Sequence, residues 1–369
     1  MRKLRIAMIG LRGIPATYGG VERHVEELAT RLVKKGHDVT VFCRSHYTPK
    51  MKEYKGVNII RLPTIVQKHL EMIVHALFAV IYILFRQYDI VHVQSVDPAL
   101  LTPLLKIRHK VVVTSHGQGY RRVDKWGMFA KAISKLAEKI FIKYSDAAIS
   151  VSKTLKDFYM GKYGREVVYI PNGISIKECE NADFLKKFGL EKNGYILYVG
   201  RLIPTKGSGL LIEAYKKLKT DLKLVIVGGS SHTDGYELEL RKNADGKIIF
   251  LGYQYGEALN QLYANCKLFV FPSQIEGLPI VLLEALSFGV PVIFSDIPED
   301  MEIAGGIATP FKNGDINDLY RKINEFLHDP NNGERLAKEA KEYVAKNYNW
   351  DMVVKQTEAV YNSINRRKT

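Results

Sequence analysis

Two glutamates stand eight residues apart in the stretch Ser273–Ala285, the first in a predicted loop and the second on a predicted helix. Gly277 permits a tight turn and Pro279 suits the first turn of a helix, so the sequence predicts a helix that starts near Pro279. Glu276 then precedes this helix and Glu284 lies within it. Because the helix is largely apolar, its carboxylate needs hydrogen-bond donors, and sugar hydroxyls are suitable ones. The alternative is that Glu284 pairs with a surface lysine and Glu276 only caps the helix.

A loop with two cations follows the predicted strand Tyr195–Gly200 and carries Arg201 and Lys206. A guanidinium can grip a phosphate through two hydrogen bonds, and an ammonium adds a compact charge. Open parallel sheets bind ligands at the carboxyl ends of their strands, so this pair can neutralise a diphosphate without a metal. The alternative is that both side chains point into water.

A glycine-containing loop, Leu11–Gly20, follows the first predicted strand and leads into a helix predicted from Val21. Gly19 and Gly20 at a helix start would let backbone N–H groups approach an anion. The spacing of the glycines fits neither the dinucleotide fingerprint nor the P-loop. A loop that only turns the chain is the alternative.

Short apolar strands alternate with amphipathic helices along the whole chain, a pattern typical of parallel sheets with helices on both sides. Two such domains in series, with a boundary near Asn172-Gly173, would hold a ligand between the carboxyl ends of their sheets. The predicted strands are Leu4–Gly10, Asp38–Cys43, Val57–Pro63, Asp89–Gln94, Lys110–Gly117, Ala147–Ser152, Val167–Gly173, Tyr195–Gly200, Lys223–Gly229, Lys247–Gly252, Lys267–Pro272 and Pro291–Asp296.

Composition places the chain among ordinary globular proteins, because 46% of its 369 residues are hydrophobic and 25% are charged. This length predicts about two domains. The three cysteines, Cys43, Cys179 and Cys266, are far apart and odd in number, which argues against a disulfide framework and a zinc site. The N-terminal residues have no signal-peptide pattern, so we expect a cytoplasmic protein.

The positive charge is concentrated in the first half of the chain. The stretch Met1–Gly173 has 29 Lys and Arg against 13 Asp and Glu, a net charge of +16, whereas the remainder has a net charge of −1. Such asymmetry favours an anionic partner, namely nucleic acid, phospholipid headgroups or a phosphorylated substrate. A surface that is basic only for solubility is the alternative.

Three motifs in this order resemble the retaining glycosyltransferases of family 4, and the resemblance covers nearly the whole chain. They are Gly19-Gly20-Val21, Gly200-Arg201 with Lys206-Gly207, and Glu276-x7-Glu284. The resemblance implies the GT-B fold, an α/β fold with two Rossmann-like parallel-sheet domains that face each other across a cleft. It places an acceptor-side domain at residues 1–173, a nucleotide-sugar domain at 174–349 and a helix at 350–369 that crosses back to the first domain.

The resemblance also implies a role for each motif. Glu284 would bind the ribose of a nucleotide-diphosphate-sugar donor and Glu276 the sugar hydroxyls, while Arg201 and Lys206 would hold the diphosphate. His116, at the end of a first-domain strand, matches the histidine that lies near the donor sugar; the alternative is a core or helix-capping histidine. The donor is a co-substrate, and no further cofactor is expected. Backbone contacts to the donor are expected from Gly19, Gly20, Gly277, Leu278, Pro279, Ile280 and Val281.

The implied reaction is sugar transfer with retained anomeric configuration. No Asp-x-Asp motif occurs in the sequence, which agrees with an enzyme that uses Arg201 and Lys206 instead of a metal. The sequence does not separate same-face attack from double displacement. A nucleotide-sugar epimerase or hydrolase on the same fold is one alternative. A nucleic-acid-binding protein is a more distant one, because the basic half has neither stacking aromatics nor a recognition helix, and we expect no nucleic-acid partner.

The acceptor is expected to be a saccharide, linked to a polyprenyl diphosphate at the inner face of the cytoplasmic membrane, as with related transferases. The run Met72–Phe85 is almost wholly apolar but shorter than the roughly 20 residues that span a bilayer. It is either a buried core helix or an interfacial helix. The basic half of the chain favours contact with an anionic membrane, and Arg121, Arg122 and Lys125 are candidates for the acceptor diphosphate or the headgroups.

Overall fold

The computed structural model describes residues 2–17, 19–67, 71–117, 128–179, 181–230, 234–242 and 244–366. The chain divides into two compact units. The first runs to Gly173 and also includes the terminal segment that begins at Trp350, and the second is Ile174–Asn349. The predicted acceptor residues Arg121, Arg122 and Lys125 lie outside the described residues.

The first unit is built on an eight-stranded sheet in the order β3-β4-β2-β1-β5-β6-β7-β8. Every neighbouring pair is parallel except β3 and β4. Its strands are β1 Arg5–Ile9, β2 Asp38–Arg44, β3 Glu53–Tyr54, β4 Val57–Leu62, β5 Ile90–Gln94, β6 Lys110–Ser115, β7 Ala147–Ser150 and β8 Val168–Tyr169. Its helices are α1 Gly19–Lys34, α2 Glu71–Leu84, α3 Thr102–Leu105, α4 Met128–Tyr144, α5 Lys153–Tyr163 and α14 Trp350–Arg366.

The second unit has a six-stranded sheet in the order β11-β10-β9-β12-β13-β14, parallel throughout. Its strands are β9 Tyr195–Val199, β10 Lys223–Val227, β11 Ile248–Gly252, β12 Leu268–Phe271, β13 Val292–Ser295 and β14 Thr309–Phe311. Its helices are α6 Asp183–Lys186, α7 Ser208–Lys216, α8 Asp234–Lys242, α9 Gly256–Asn265, α10 Ile280–Phe288, α11 Pro298–Ala304, α12 Ile316–His328 and α13 Asn331–Asn347.

The predicted α/β architecture is confirmed, and each of the twelve predicted strands corresponds to a strand of the structure. The predicted strand Val167–Gly173 is shortened to β8, and two edge strands, β3 and β14, were not predicted. The terminal helix α14 shares the core of the first unit through Trp350, Val353 and Tyr361, which are buried with residues of α1 and β1. This packing explains why the end of the chain belongs to the first unit.

Helix α2 has two apolar faces that differ in their surroundings. Ala76, Ala79, Val80 and Ile83 are buried in the first unit, with His75 beside them. On the other face Leu77, Phe78 and Ile81 are 42%, 43% and 46% exposed, and Phe85 just beyond the helix is 81% exposed. The run Met72–Phe85 therefore contributes to the core with one of its faces and leaves the other exposed. Within the described part of the chain, no helix is long and apolar enough to cross a bilayer.

Candidate active site

Three neighbouring strands of the second unit, β9, β12 and β13, end at the same edge of the sheet. Parallel strands bring the loops after their carboxyl ends together, so the loops after β9 and β12 meet there. Gly207 makes their close approach possible, because it has φ +71° and an added Cβ would lie 2.0 Å from the carbonyl oxygen of Pro272. The Gln274 N–H also donates to the Thr205 carbonyl at 2.9 Å. This edge of the sheet carries most of the predicted donor-binding residues.

Lys206 and Glu276, predicted separately, form a largely buried ion pair in this loop pair. Their side chains are 13% and 8% exposed. Ser273, fully buried, donates its hydroxyl to the same Glu276 Oε1 at 2.7 Å. The Lys206 ammonium also lies 3.4 Å from Ser273 Oγ and 3.5 Å from the Ile275 carbonyl oxygen. Removal of one partner of such an ion pair would leave an uncompensated buried charge, which is strongly destabilising.

Tyr198 of β9 supports the backbone of the loop that carries Arg201 and Lys206. Its hydroxyl lies 3.1 Å from the carbonyl oxygen of Arg201 and 3.3 Å from that of Lys206. Burial is the largest cause that raises the pKa of the Tyr198 phenol far above its usual range, so the hydroxyl keeps its proton and remains a hydrogen-bond donor. Arg201 is exposed at the start of the loop. The Arg201 guanidinium is thus exposed, whereas the Lys206 ammonium of the same loop is largely buried.

Glu284 lies on α10, which begins at Ile280, one residue later than predicted, with Pro279 immediately before it. The Glu284 side chain is partly buried, and Tyr263 of α9 donates its hydroxyl to Glu284 Oε2 at 3.3 Å. Burial and the nearby Glu284 charge together raise the pKa of Tyr263 well above its usual value. The expected donor for a carboxylate on an apolar helix is therefore supplied in part by the protein itself.

His116 lies in the first unit, directly after β6, and is 9% exposed. Its Nε2 is 2.8 Å from Oε1 of Gln94 at the end of the neighbouring strand β5. The ring of His24 on α1 stands edge-on to it, with centroids 4.8 Å apart. Burial lowers the pKa of His24 to about 4, against the opposing effect of its hydrogen bond to Asn172, so His24 is neutral near pH 7. The His116 ring thus packs against His24 and lies within hydrogen-bond distance of the Gln94 side-chain amide.

The glycine-containing loop differs from the prediction in one respect, because α1 begins at Gly19 and not at Val21. Two loop N–H groups are already used by carboxylates of this helix. Arg12 N–H donates to Glu22 at 3.0 Å and Ala16 N–H donates to Glu26 at 2.7 Å. Gly19 and Gly20 themselves are exposed.

The structure reveals supporting residues that the motifs did not indicate, namely Tyr198, Tyr263, Ser273 and Asp300. Ser273 could have been identified from the sequence, because it follows a predicted strand and belongs to the same motif as Glu276. Nothing in the sequence marks the two tyrosines or Asp300, because only tertiary packing brings them close to this motif. In the part of the chain that the structure describes, no group of three or more His, Cys, Asp or Glu side chains has a metal-binding arrangement.

Two family descriptions match consecutive parts of the chain. The description "Glycosyltransferase Family 4" matches residues 18–178, and "Glycosyl transferases group 1" matches residues 181–343. The boundary between the two matches falls close to the boundary between the two compact units.

Proteins similar to this chain include transferases from archaea and bacteria. An uncharacterised glycosyltransferase of Methanocaldococcus jannaschii is 30% identical over 97% of this chain and 98% of its own length. The O-antigen chain mannosyltransferase B of Escherichia coli is 33% identical over 52% of this chain and 51% of its own. The crystal structure of Anabaena HepE in complex with UDP-glucose matches with a TM-score of 0.82 and 18% identity, over 98% of this chain and all of that one. The structural likeness confirms the predicted GT-B fold.

Proposed function

Because this chain belongs to glycosyltransferase family 4, we propose that it moves a sugar from a nucleoside-diphosphate-sugar to a saccharide acceptor with retention of the anomeric configuration. The observation that carries this proposal is the buried pair Lys206–Glu276 with Ser273, at the ligand-binding edge of the second sheet. A cation and a hydrogen-bond acceptor at one point suit a diphosphate joined to a sugar.

The proposed mechanism gives each side chain a separate task. The bond between the sugar C1 and the diphosphate oxygen breaks, and a new bond forms from C1 to the acceptor oxygen on the same face. The leaving phosphate oxygen takes the acceptor proton. Arg201 and Lys206 stabilise the negative charge that develops on the diphosphate, as positioned cations do in phosphate-releasing reactions.

The two glutamates would bind different parts of the donor. Glu276 would exchange part of its contact with Lys206 for sugar hydroxyls, which fixes the reacting sugar beside the leaving group. Glu284, held by Tyr263, would accept the ribose hydroxyls. The backbone N–H groups of Gly277, Leu278, Ile280 and Val281 would add contacts, whereas Pro279 has no N–H and would only shape the turn before α10. The roles expected of Gly19, Gly20 and His116 stay predictions.

We further propose that the acceptor is a lipid-linked saccharide used in cell-surface polysaccharide or glycoconjugate synthesis, and that the protein binds the inner face of the cytoplasmic membrane. The similarity to an O-antigen chain mannosyltransferase is compatible with such an acceptor. The exposed face of α2 supports a membrane contact, because an apolar stripe on a helix surface is unfavourable in water. Two more apolar side chains are exposed in this part of the first unit. Leu104 lies on α3, which packs against α2, and Ile107 lies just after α3.

Basic residues border this apolar face, which fits an anionic lipid surface and not a purely apolar partner. Arg86, just after α2, and Arg108, just after Ile107, are both exposed. Arg108 also donates to the Leu84 carbonyl at the end of α2 at 2.7 Å. Buried apolar side chains contribute about 1.5–3 kcal/mol each and each nearby cation about 1 kcal/mol, so the combination gives reversible binding.

The function is tested by incubating the purified protein with a panel of labelled nucleoside-diphosphate-sugars, with and without membranes. Transfer of label to a lipid-extractable product supports the full proposal. Release of free sugar alone indicates a hydrolase, and conversion of the sugar on its nucleotide indicates an epimerase. A protein that binds no nucleoside diphosphate at all would contradict the proposal.

We predict that transfer is retained when divalent metals are removed, because Arg201 and Lys206 supply the positive charge at the leaving group. The measurement is the initial rate after treatment with EDTA and desalting, compared with untreated enzyme. A rate that collapses with EDTA and returns with added Mg²⁺ or Mn²⁺ would refute a metal-independent enzyme.

We predict that the protein binds vesicles rich in anionic lipid and not neutral ones, and that salt near 0.15 M, where screening shortens to about 8 Å, weakens the binding. The variant Phe78→Ser/Ile81→Ser should release more of the protein from vesicles at each salt concentration. Leu238→Ser, at an apolar residue of α8 that is 58% exposed, is the matched control and should bind as the wild type. Co-sedimentation measures both. Equal binding to neutral and anionic vesicles, or dimerisation through this face in gel filtration, would contradict the membrane role.

A further inference from the structure

Asp300 is a further acidic residue at the edge of the second sheet where β9, β12 and β13 end. It lies in the first turn of α11, directly after β13. Because β13 is the neighbour of β12, its loop adjoins the loop of Glu276. No sequence motif marked this residue, and the mechanism proposed above does not use it.

The Asp300 carboxyl is fully buried, with 0% exposure, and neither of its oxygens has a hydrogen-bond partner among the described residues. Glu276, in contrast, receives both the Ser273 hydroxyl and the Lys206 ammonium. Ionisation of a fully buried carboxyl without hydrogen-bond donors is strongly disfavoured, so such a group keeps its proton. Of these two neighbouring carboxyls, Asp300 is the one that holds it.

The charges around Asp300 support the same assignment. Burial is the largest cause that raises the pKa of Asp300 well above its usual value, and the negative charge of Glu276 raises it further. Lys206 opposes this shift, and Glu299 on the same helix adds to it. The effect of the Lys206 cation is thus outweighed by burial and two carboxylates.

We propose that Asp300 is a positioning residue of the donor site: as a neutral carboxylic acid it leaves the charge of Lys206 to Glu276 and to the donor diphosphate. This inference rests on the proposed function of Lys206. An ionised Asp300 would draw the ammonium toward itself and add a negative charge beside the diphosphate. Loss of its proton therefore weakens donor binding, and donor binding in turn favours the protonated form, because such coupling is reciprocal.

Stability measurements test whether Asp300 is neutral without any ligand. The folded protein binds a proton at Asp300 that the unfolded chain releases above about pH 4, so wild-type stability falls as pH rises from about 4 toward the folded-state pKa. In the Asp300→Asn variant, the side chain at position 300 is neutral at every pH, so this decrease in stability is absent. Its Tm relative to wild type should therefore increase between about pH 5 and pH 8. The control Asp296→Asn, at an exposed carboxylate nearby, should give a difference that is flat in pH.

A Tm difference for Asp300→Asn that is flat in pH, or one that decreases as pH rises, would show an ionised Asp300 and overturn the proposal. The second arm measures the affinity for UDP, GDP and ADP, each tested singly. Wild-type affinity should fall by about threefold or more relative to Asp300→Asn once the pH exceeds the value at which the Tm difference between the two proteins stops increasing.

Identical pH profiles of affinity in wild type and Asp300→Asn would overturn the positioning role. The two proteins differ in a single titratable side chain, so a difference between their pH profiles originates at Asp300. If wild type binds no nucleoside diphosphate of any base, the proposed function fails and the positioning role fails with it, whereas the Tm series still decides whether Asp300 is neutral.

Discussion

Replacement of Lys206 with alanine should lower the rate of sugar transfer by about a hundredfold. Removal of one positioned donor from a developing negative charge costs about 2.7–4 kcal/mol in comparable sites. Here the loss has a second component, because the Glu276 carboxylate is only 8% exposed and would lose its cation. Steady-state rates measured with saturating donor and acceptor give the effect on kcat directly.

The control is Lys216→Ala, at an exposed lysine in the last turn of α7, which should transfer at the wild-type rate. Arg201→Ala should also slow transfer by tens-fold or more, because both cations act on the same diphosphate. Near-normal turnover in both the Lys206 and the Arg201 variants would contradict the proposal that these residues hold the diphosphate.

The two glutamates should differ in which kinetic quantity they control. Glu276→Gln should mainly lower kcat by about tenfold or more, because its contacts lie at the reacting sugar, where interactions strengthen in the transition state. Glu284→Gln should mainly weaken binding, because the ribose is bound equally before and during the reaction. Titration with the bare nucleoside diphosphate separates the cases, since this ligand has a ribose but no sugar.

Tyr263→Phe serves as the control for Glu284, because it removes the hydroxyl that holds this carboxylate and retains the charge. Its affinity for the nucleoside diphosphate should lie between those of the wild type and Glu284→Gln. Wild-type affinity in Glu284→Gln would contradict the ribose role.

Much of the fold follows from the sequence because parallel strands buried on both faces are continuous apolar runs. The two strands that were missed lack this signal. β3 has only two residues, and β14 contains Pro310, which is tolerated there because β14 is an edge strand. Short edge strands depend on their neighbours more than on their own residues.

The exposed face of α2 was not fixed by the sequence for a related physical reason. An apolar run is equally consistent with a buried helix and with an interfacial one, because periodicity disappears when nearly every residue is apolar. Only the packing of Ala76, Ala79 and Val80 against the first unit leaves Leu77 and Ile81 on the outside.

The structure adds connections between candidate residues that the sequence marked separately. Lys206 and Glu276 were identified from separate motifs, and the structure adds that they pair through loops at one sheet edge. Asp300 could not be found, because Pro298-Glu299-Asp300 resembles an ordinary exposed helix start with acidic residues in the first turn. Its burial depends on the order of strands in the sheet.

The most direct test of the proposed retaining transfer is the anomeric configuration of the product. The donor sugar identified in the labelled panel is incubated with the protein and its acceptor, and NMR of the first product gives the configuration at C1. We predict that the wild-type product has the same configuration at C1 as the nucleotide-sugar. Lys206→Ala should form much less of this product. A product with the opposite configuration, or nucleotide-sugar consumption without any new glycosidic bond, would contradict the account.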